Sequence, residues 1–177
     1  IWVKMEYLNP SGSIKARIAK YMIERAEKEG LIKPGDTIVE ASSGNTGNAM
    51  SMVAAVKGYK MLVLMPSGLS EERVAISKAF GAEVRKIGDF HVNEALEECR
   101  RLGKQPGYFS PQQFDNEWNV EENTDWLGQE ILKELPRKPD LIVNGVGTGG
   151  TVIGLGRAFK KVNPNCKTYA LEPSESC

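Results

Sequence analysis

Short apolar blocks alternate with stretches of helical spacing along the whole chain, and that alternation restricts the fold more than any other feature. Met61-Leu62-Val63-Leu64-Met65 is apolar at every position, the pattern of a strand covered on both faces. Residues 37–41, 82–87, 108–110, 141–144 and 168–171 read as further strands. Between them, residues 14–29, 48–57, 70–81, 92–102, 124–135 and 151–162 carry helical spacing or helical start and stop signals. Strand and helix follow one another through short connections. That order implies right-handed crossovers and an α/β fold of open, mostly parallel, twisted sheets with helices on both faces. Ile1 is not an initiator Met, and residues 1–5 read as a strand already under way. Residues 115–122 are polar and read as an irregular link between two domains, 1–114 and 115–177.

Composition removes several classes of function. The chain has 177 residues, with 23 basic side chains against 23 acidic ones, and this balance argues against a nucleic-acid binder, which carries a basic surplus. No apolar run approaches the roughly 20 residues that cross a membrane, and no signal peptide is visible. Cys99, Cys166 and Cys177 are widely spaced and odd in number. They fit neither a disulfide framework nor a paired-cysteine metal site, and they suit the reducing cytoplasm. His91 is the single histidine. A serine triad or a multi-histidine metal site would have to use it, and it reads as a solvated loop residue. No metal is expected.

The candidate chemistry starts at Asn9-Pro10-Ser11-Gly12-Ser13-Ile14-Lys15-Ala16-Arg17. Proline ends what precedes it, and Ser13 is a good N-cap for a helix starting near Ile14. Ile18, Ala19, Met22, Ile23 and Ala26 give that helix a buried face, and Lys15 falls on the same side. A lysine turned inward is desolvated. Its pKa falls, and its neutral amine can act as a nucleophile or form a Schiff base. The alternative is a lysine that lays its stem along the core and keeps its head in water.

Two strand-to-helix loops hold most of the small polar residues, and in α/β sheets such loops line the ligand crevice. Gly145-Val146-Gly147-Thr148-Gly149-Gly150-Thr151 combines glycines with hydroxyls at a helix start, a cradle for a phosphate. It also fits the dinucleotide fingerprint, with Glu172 about 20 residues further on as a ribose-binding acid. Taken alone, the loop separates neither a dinucleotide from a smaller phosphate ester nor either from a turn needed for packing. Ser42-Ser43-Gly44-Asn45-Thr46-Gly47 offers hydroxyls, an amide and backbone N–H groups suited to a carboxylate. Two anion-accepting loops and an inward lysine describe a site for a phosphorylated carbonyl cofactor and an amino acid.

These stretches, with Gln112-Gln113-Phe114, Lys33-Pro34-Gly35-Asp36-Thr37-Ile38-Val39-Glu40 and Glu172-Pro173-Ser174-Glu175, stand in an order and spacing that resembles the fold-type II pyridoxal-phosphate enzymes. Within them the chain is most similar to the cysteine synthase (O-acetylserine sulfhydrylase) and cystathionine β-synthase family. The resemblance covers essentially the whole chain. It implies a two-domain architecture like that of the tryptophan synthase β-chain, incomplete here at both ends. Residues 1–114 would carry the cofactor lysine and substrate loop, and residues 115–177 the first part of a second domain with the phosphate loop. It implies that Lys15 forms the Schiff base with pyridoxal 5′-phosphate and acts as the base at the substrate Cα. Gly147, Thr148, Gly149, Gly150 and Thr151 would hold the phosphate, and Asn45 the ring oxygen. Ser42, Ser43, Gly44, Thr46 and Gln113 would hold the substrate carboxylate. The implied reaction is β-replacement on O-acetylserine or a related activated serine by sulfide or a thiol, in a cytoplasmic homodimer. Cystathionine β-synthase-like chemistry or another β-substituted alanine synthesis is the near alternative. A dinucleotide oxidoreductase and an inactive homologue serving as an interaction module are the more distant ones.

The chain departs from the family pattern at several points. Ala16 stands where an Asp is usual, so the support of Arg17 is expected to differ. Ser42 replaces a Thr and keeps the hydroxyl. Residues 115–128 lack the usual proline and histidine, which touches the choice of second substrate. Family members also begin earlier and continue past Glu172. These residues are therefore expected to be the ordered part of a longer chain, because a sheet stopped at Leu171 would expose an apolar edge and face.

Overall fold

The computed structural model describes residues 1–89 and 91–174. Phe90, and with it Glu175 and Cys177 noted above, lies outside the described residues. The chain divides into two compact units, the first spanning Val3–Gln112 and the second running from Gln113 onward.

The first unit is built on a four-stranded parallel sheet, in the order β3-β2-β1-β4. Its strands are β1 (Thr37–Ala41), β2 (Lys60–Pro66), β3 (Glu83–Ile87) and β4 (Tyr108–Phe109). The all-apolar block lies in β2, between two neighbours, and every residue from Met61 to Pro66 is buried. Its side chains alternate between two helical layers. Leu62 and Leu64, with Val39 and Ala41 of β1, pack on Ala95, Cys99 and Leu102 of α4 (Asn93–Leu102). On the opposite face α2 (Asn45–Lys57) lies so close that a Cβ on Gly47 would stand 2.8 Å from Val63 Cγ1. Small residues Gly47, Ala49, Ser51 and Ala54 let α2 sit between the sheet and α1 (Lys15–Lys28), and all four are buried. The helix α3 (Glu71–Ala79) adjoins α2 through a hydrogen bond from Ser77 Oγ to Asn48 Oδ1, 2.7 Å.

The second unit contains a two-stranded parallel sheet of β5 (Leu141–Gly145) and β6 (Lys167–Leu171). One face carries α7 (Gly150–Val162), where Gly156 brings the helix backbone onto Thr168. The other face holds Leu141, Val143, Tyr169 and Leu171, each at least 50% exposed. Ahead of β5 run α5 (Trp118–Glu122), a π-helical turn at Asn123–Leu127 and α6 (Gly128–Glu134) without a break. This rod packs on α7 through a ladder of small residues at i, i+4 spacing. A Cβ on Gly150 would lie 2.1 Å from Asn119 Oδ1, one on Gly154 2.5 Å from Asn123 Cβ, and Gly128 faces Ala158 at 2.6 Å in the same sense.

Several local expectations are corrected. Residues 1–5 form no strand, and a single 3-10 turn at Glu6–Leu8 follows them. Helix α2 begins at Asn45 and not at Asn48, so Asn45, Thr46 and Gly47 are its first turn. The segment read as irregular is helical from Trp118. Its polar residues Asn119 and Asn123 are buried against a glycine-bearing partner helix, where their amide NH2 groups hydrogen-bond in place of an apolar stripe. The passage from the first unit to the second goes through Gln112, a non-glycine residue at φ 53°, a left-handed conformation that surrounding structure must hold in place.

Candidate active site

In the first unit, Lys15 opens α1 and is half-buried. The helix starts one residue later than expected, with Ile14 and not Ser13 at its N-cap, and the Lys15 backbone N–H donates to Ser13 Oγ at 3.3 Å. Burial, with no pairing carboxylate among the described residues, holds the Lys15 ammonium below its usual pKa. The same turn is braced from outside. Arg17 Nε and Nη2 donate to Glu6 Oε2 and Oε1 at 2.8 and 2.9 Å, and Asn9 Nδ2 donates to Glu6 Oε2 at 2.7 Å. Glu6 is thus the acid beside Arg17, in a chain whose residue 16 is alanine.

The loop between β1 and α2 is shaped by Ser42. Its buried Oγ accepts the backbone N–H of Gly44 at 3.0 Å and of Gly47 at 2.9 Å. With both lone pairs engaged, its remaining capacity is to donate. Gly44 has φ +156°, and a Cβ there would meet the Arg73 side chain at 2.9 Å. Arg73 Nη1 reaches across from α3 to the Ser43 carbonyl at 2.7 Å. Ser43 and Asn45 are exposed, whereas Thr46 is buried in the first turn of α2. Because α1 and α2 pack together, Lys15 and the 42–47 loop head neighbouring helices.

In the second unit, the loop after β5 uses its glycines in different ways. Gly149 needs its φ of +82°, and Gly150 its missing side chain beside Asn119. Gly147 has neither demand: its φ is ordinary, and a Cβ there would meet nothing within 4 Å. A glycine that the chain's own packing does not require, with open space before it, suits a backbone approached by a ligand. Thr148 is half-buried and Thr151 buried. The buried Asn119 links two candidates, donating from Nδ2 to Thr148 Oγ1 at 2.8 Å and to the Gln113 carbonyl at 3.0 Å. Within this unit the structure therefore brings Gln113 and Thr148 of the glycine-rich loop to one side chain. Asn119, Arg73 and Glu6 escaped sequence reasoning. The i, i+4 pair Asn119 and Asn123 was the signal available for the first. The desolvated lysine, the glycine cradle and the hydroxyl-lined helix starts fit a phosphorylated aldehyde. Among the described residues, no group of three or more His, Cys, Asp or Glu gathers as a metal site.

The family described as pyridoxal-phosphate dependent enzyme matches residues 1–177. The chain belongs to this family. Cysteine synthase of Staphylococcus aureus is 48% identical over 178 residues, a match covering 99% of this chain and 57% of that protein. Cystathionine beta-synthase of Apis mellifera is 41% identical over 181 residues, covering 99% and 36%. The crystal structure of a hydrogen sulfide-producing enzyme from Fusobacterium nucleatum superposes with a TM-score of 0.91 at 43% identity, over 98% of this chain and 58% of that one. The chain thus spans little more than half the length of relatives such as the staphylococcal enzyme. For this pyridoxal-phosphate family member the cofactor is pyridoxal 5′-phosphate, and the dinucleotide reading of the 145–150 loop falls away. Glu172 is then an exposed residue just past β6.

Proposed function

We propose that the protein catalyses β-replacement on an activated serine, O-acetylserine foremost, yielding cysteine with sulfide as nucleophile. The observation that carries this reading is the desolvated Lys15 amine, at the head of a helix braced by Ser13 and Glu6. Lys15 Nζ takes the proton from the substrate Cα and later returns it, and its lowered pKa keeps a share of neutral amine ready for that transfer. Bound pyridoxal phosphate supplies the electron sink that makes this proton removable. Gly147, Thr148, Gly149, Gly150 and Thr151 hold its phosphate, and Asn45 its ring oxygen. Ser42, Ser43, Gly44, Thr46 and Gln113 receive the substrate carboxylate, with Ser42 acting as donor because its oxygen is already occupied. In this reading the first unit is the lysine and substrate-loop domain, and the second begins the phosphate-binding domain. No helix of the described residues is long and apolar enough to cross a membrane. The buried free thiols Cys99 and Cys166 support a cytoplasmic setting, where we place a homodimer.

The test is incubation of the purified protein with O-acetylserine, O-phosphoserine and serine in turn, each with sulfide and separately with homocysteine, with assay of free cysteine and of cystathionine. Cysteine from O-acetylserine is expected. Product only from serine with homocysteine would favour cystathionine β-synthase-like chemistry, the second reading suggested by the honeybee relative. Bound cofactor without turnover of any of these would leave an inactive homologue.

A further inference from the structure

Asn119 lies outside every residue assigned above to cofactor or substrate, yet it is 2% exposed and touches both a phosphate-loop hydroxyl and the Gln113 backbone. Its orientation is fixed by chemistry. A backbone carbonyl can only accept, so the atom facing the Gln113 oxygen must be the NH2 group, which has two hydrogens to give. One goes to Gln113 and the other to Thr148 Oγ1. The Gly150 N–H is aimed at the same oxygen, at 3.4 Å. With two donors directed at it, the Thr148 hydroxyl has its lone pairs engaged, and what remains is its own hydrogen. It must donate, and Thr148 is half-buried, so an acceptor from outside the chain can reach it.

The side chain is held in place from behind. Asn123, fully buried on the next turn, donates from Nδ2 to the Asn119 carbonyl at 2.7 Å, with a longer contact of 3.4 Å to Asn119 Oδ1. Gly150 closes the other side, with no room for a Cβ. These hydrogen bonds hold the Asn119 amide in one orientation, while Asn123 Oδ1 finds no partner among the described residues.

We propose that Asn119 is a positioning residue that locks Thr148 as a donor toward a phosphate ester and ties the phosphate loop to Gln113. This rests on the pyridoxal-phosphate reading given above. Asn119 acts through Thr148, so its effect is on the phosphate of the cofactor and not on the ring.

The test uses the purified protein, resolved of cofactor and titrated with pyridoxal phosphate and separately with pyridoxal, by absorbance and tryptophan emission. The unaltered protein binds the phosphorylated form more tightly. Asn119→Ala should lose about tenfold or more of that affinity, the worth of one hydrogen bond to a charged group, with pyridoxal binding unchanged. Thr148→Val should lose as much, Thr148→Ser little, and the Asn119→Ala/Thr148→Val double variant no more than Thr148→Val alone. Asn119→Asp, of similar size and leaving no cavity, turns the Thr148 hydrogen onto its own carboxylate and should erase the preference for the phosphorylated form. Equal pyridoxal phosphate binding by the Asn119 variants, a parallel loss on pyridoxal, or additive losses in the double variant would overturn the positioning role. If the unaltered protein bound neither aldehyde, the cofactor reading itself would fall, and this one with it.

Discussion

Arg17 and Glu6 meet through two parallel hydrogen bonds of 2.8 and 2.9 Å, with side chains only 19% and 14% exposed. Glu6→Ala would leave the guanidinium partly buried without its acid and Asn9 without its acceptor. A loss of about 1–3 kcal/mol is expected in urea unfolding. The exposed Lys20–Glu24 pair on the same helix is the control, and Lys20→Ala should change stability by no more than about 0.5 kcal/mol. Glu6→Ala should also weaken cofactor retention, because the braced turn leads directly into Lys15.

Two glycines of the same loop should respond differently to alanine. Gly150→Ala forces a methyl onto Asn119 Oδ1 in a buried seam, and overpacking of that kind costs about 1–3 kcal/mol. Gly147→Ala meets nothing within 4 Å in the chain itself. Its melting temperature without cofactor should match that of the unaltered protein, while its affinity for pyridoxal phosphate falls. Parallel behaviour of the two variants, in both melting and titration, would contradict the separate roles assigned to them.

The Lys15 amine has its pKa lowered by burial. Between the folded and the unfolded pKa the unfolded chain binds the extra proton, so stability of the cofactor-free protein rises with pH through that window and levels off near the ordinary lysine value. Below the window the buried charge is a standing cost. Lys15→Met should therefore stabilise the cofactor-free protein at neutral pH and remove this slope, read from melting curves taken across alkaline pH. The same variant should fail to be labelled by pyridoxal phosphate and borohydride.

Burial pushes the Cys99 thiol up to about 12, with the Glu40 carboxylate adding to the effect. The thiol donates to the Val39 carbonyl at 3.4 Å and lies 3.1 Å from Ser110 Oγ. The native protein should resist alkylation at Cys99 at neutral pH and react only on unfolding, as mass spectrometry of the labelled peptide would show. The unfolded thiol ionises first, so this group's contribution to stability is complete below about pH 8.5 and is lost as pH rises above it.

Much of the fold was legible because residues 61–65 of β2 are apolar throughout and the strand lies between two others, where period and burial give the same answer. The positions of Lys15 at a helix start and of both loops at strand-to-helix junctions were legible from the glycine, serine and threonine that precede the helical spacing. Residues 118–122 were not. Their polar side chains look like a solvated loop, and only the opposing glycines of α7, far along the chain, turn Asn119 and Asn123 into interior residues. The start of α2 was misplaced for a related reason. Ser42 caps it through the amide of Gly47, five residues away, which no short-range capping pattern anticipates. The pairing of Arg17 with Glu6 across a proline turn was equally hidden, since the expected acid was next to the lysine and not before the turn.

The small-residue ladder of α7 divides that helix into two kinds of position. Where Gly150, Gly154 and Ala158 lean on the neighbouring rod, any bulkier side chain is shut out. Ile153, Lys160 and Lys161 are exposed, and there exchange is unconstrained, while the exposed Arg157 pairs with Glu117. In a mutational scan of the helix, tolerance should rise and fall with the pitch of the screw, and the intolerant stripe should trace the surface that keeps the 147–151 loop in register.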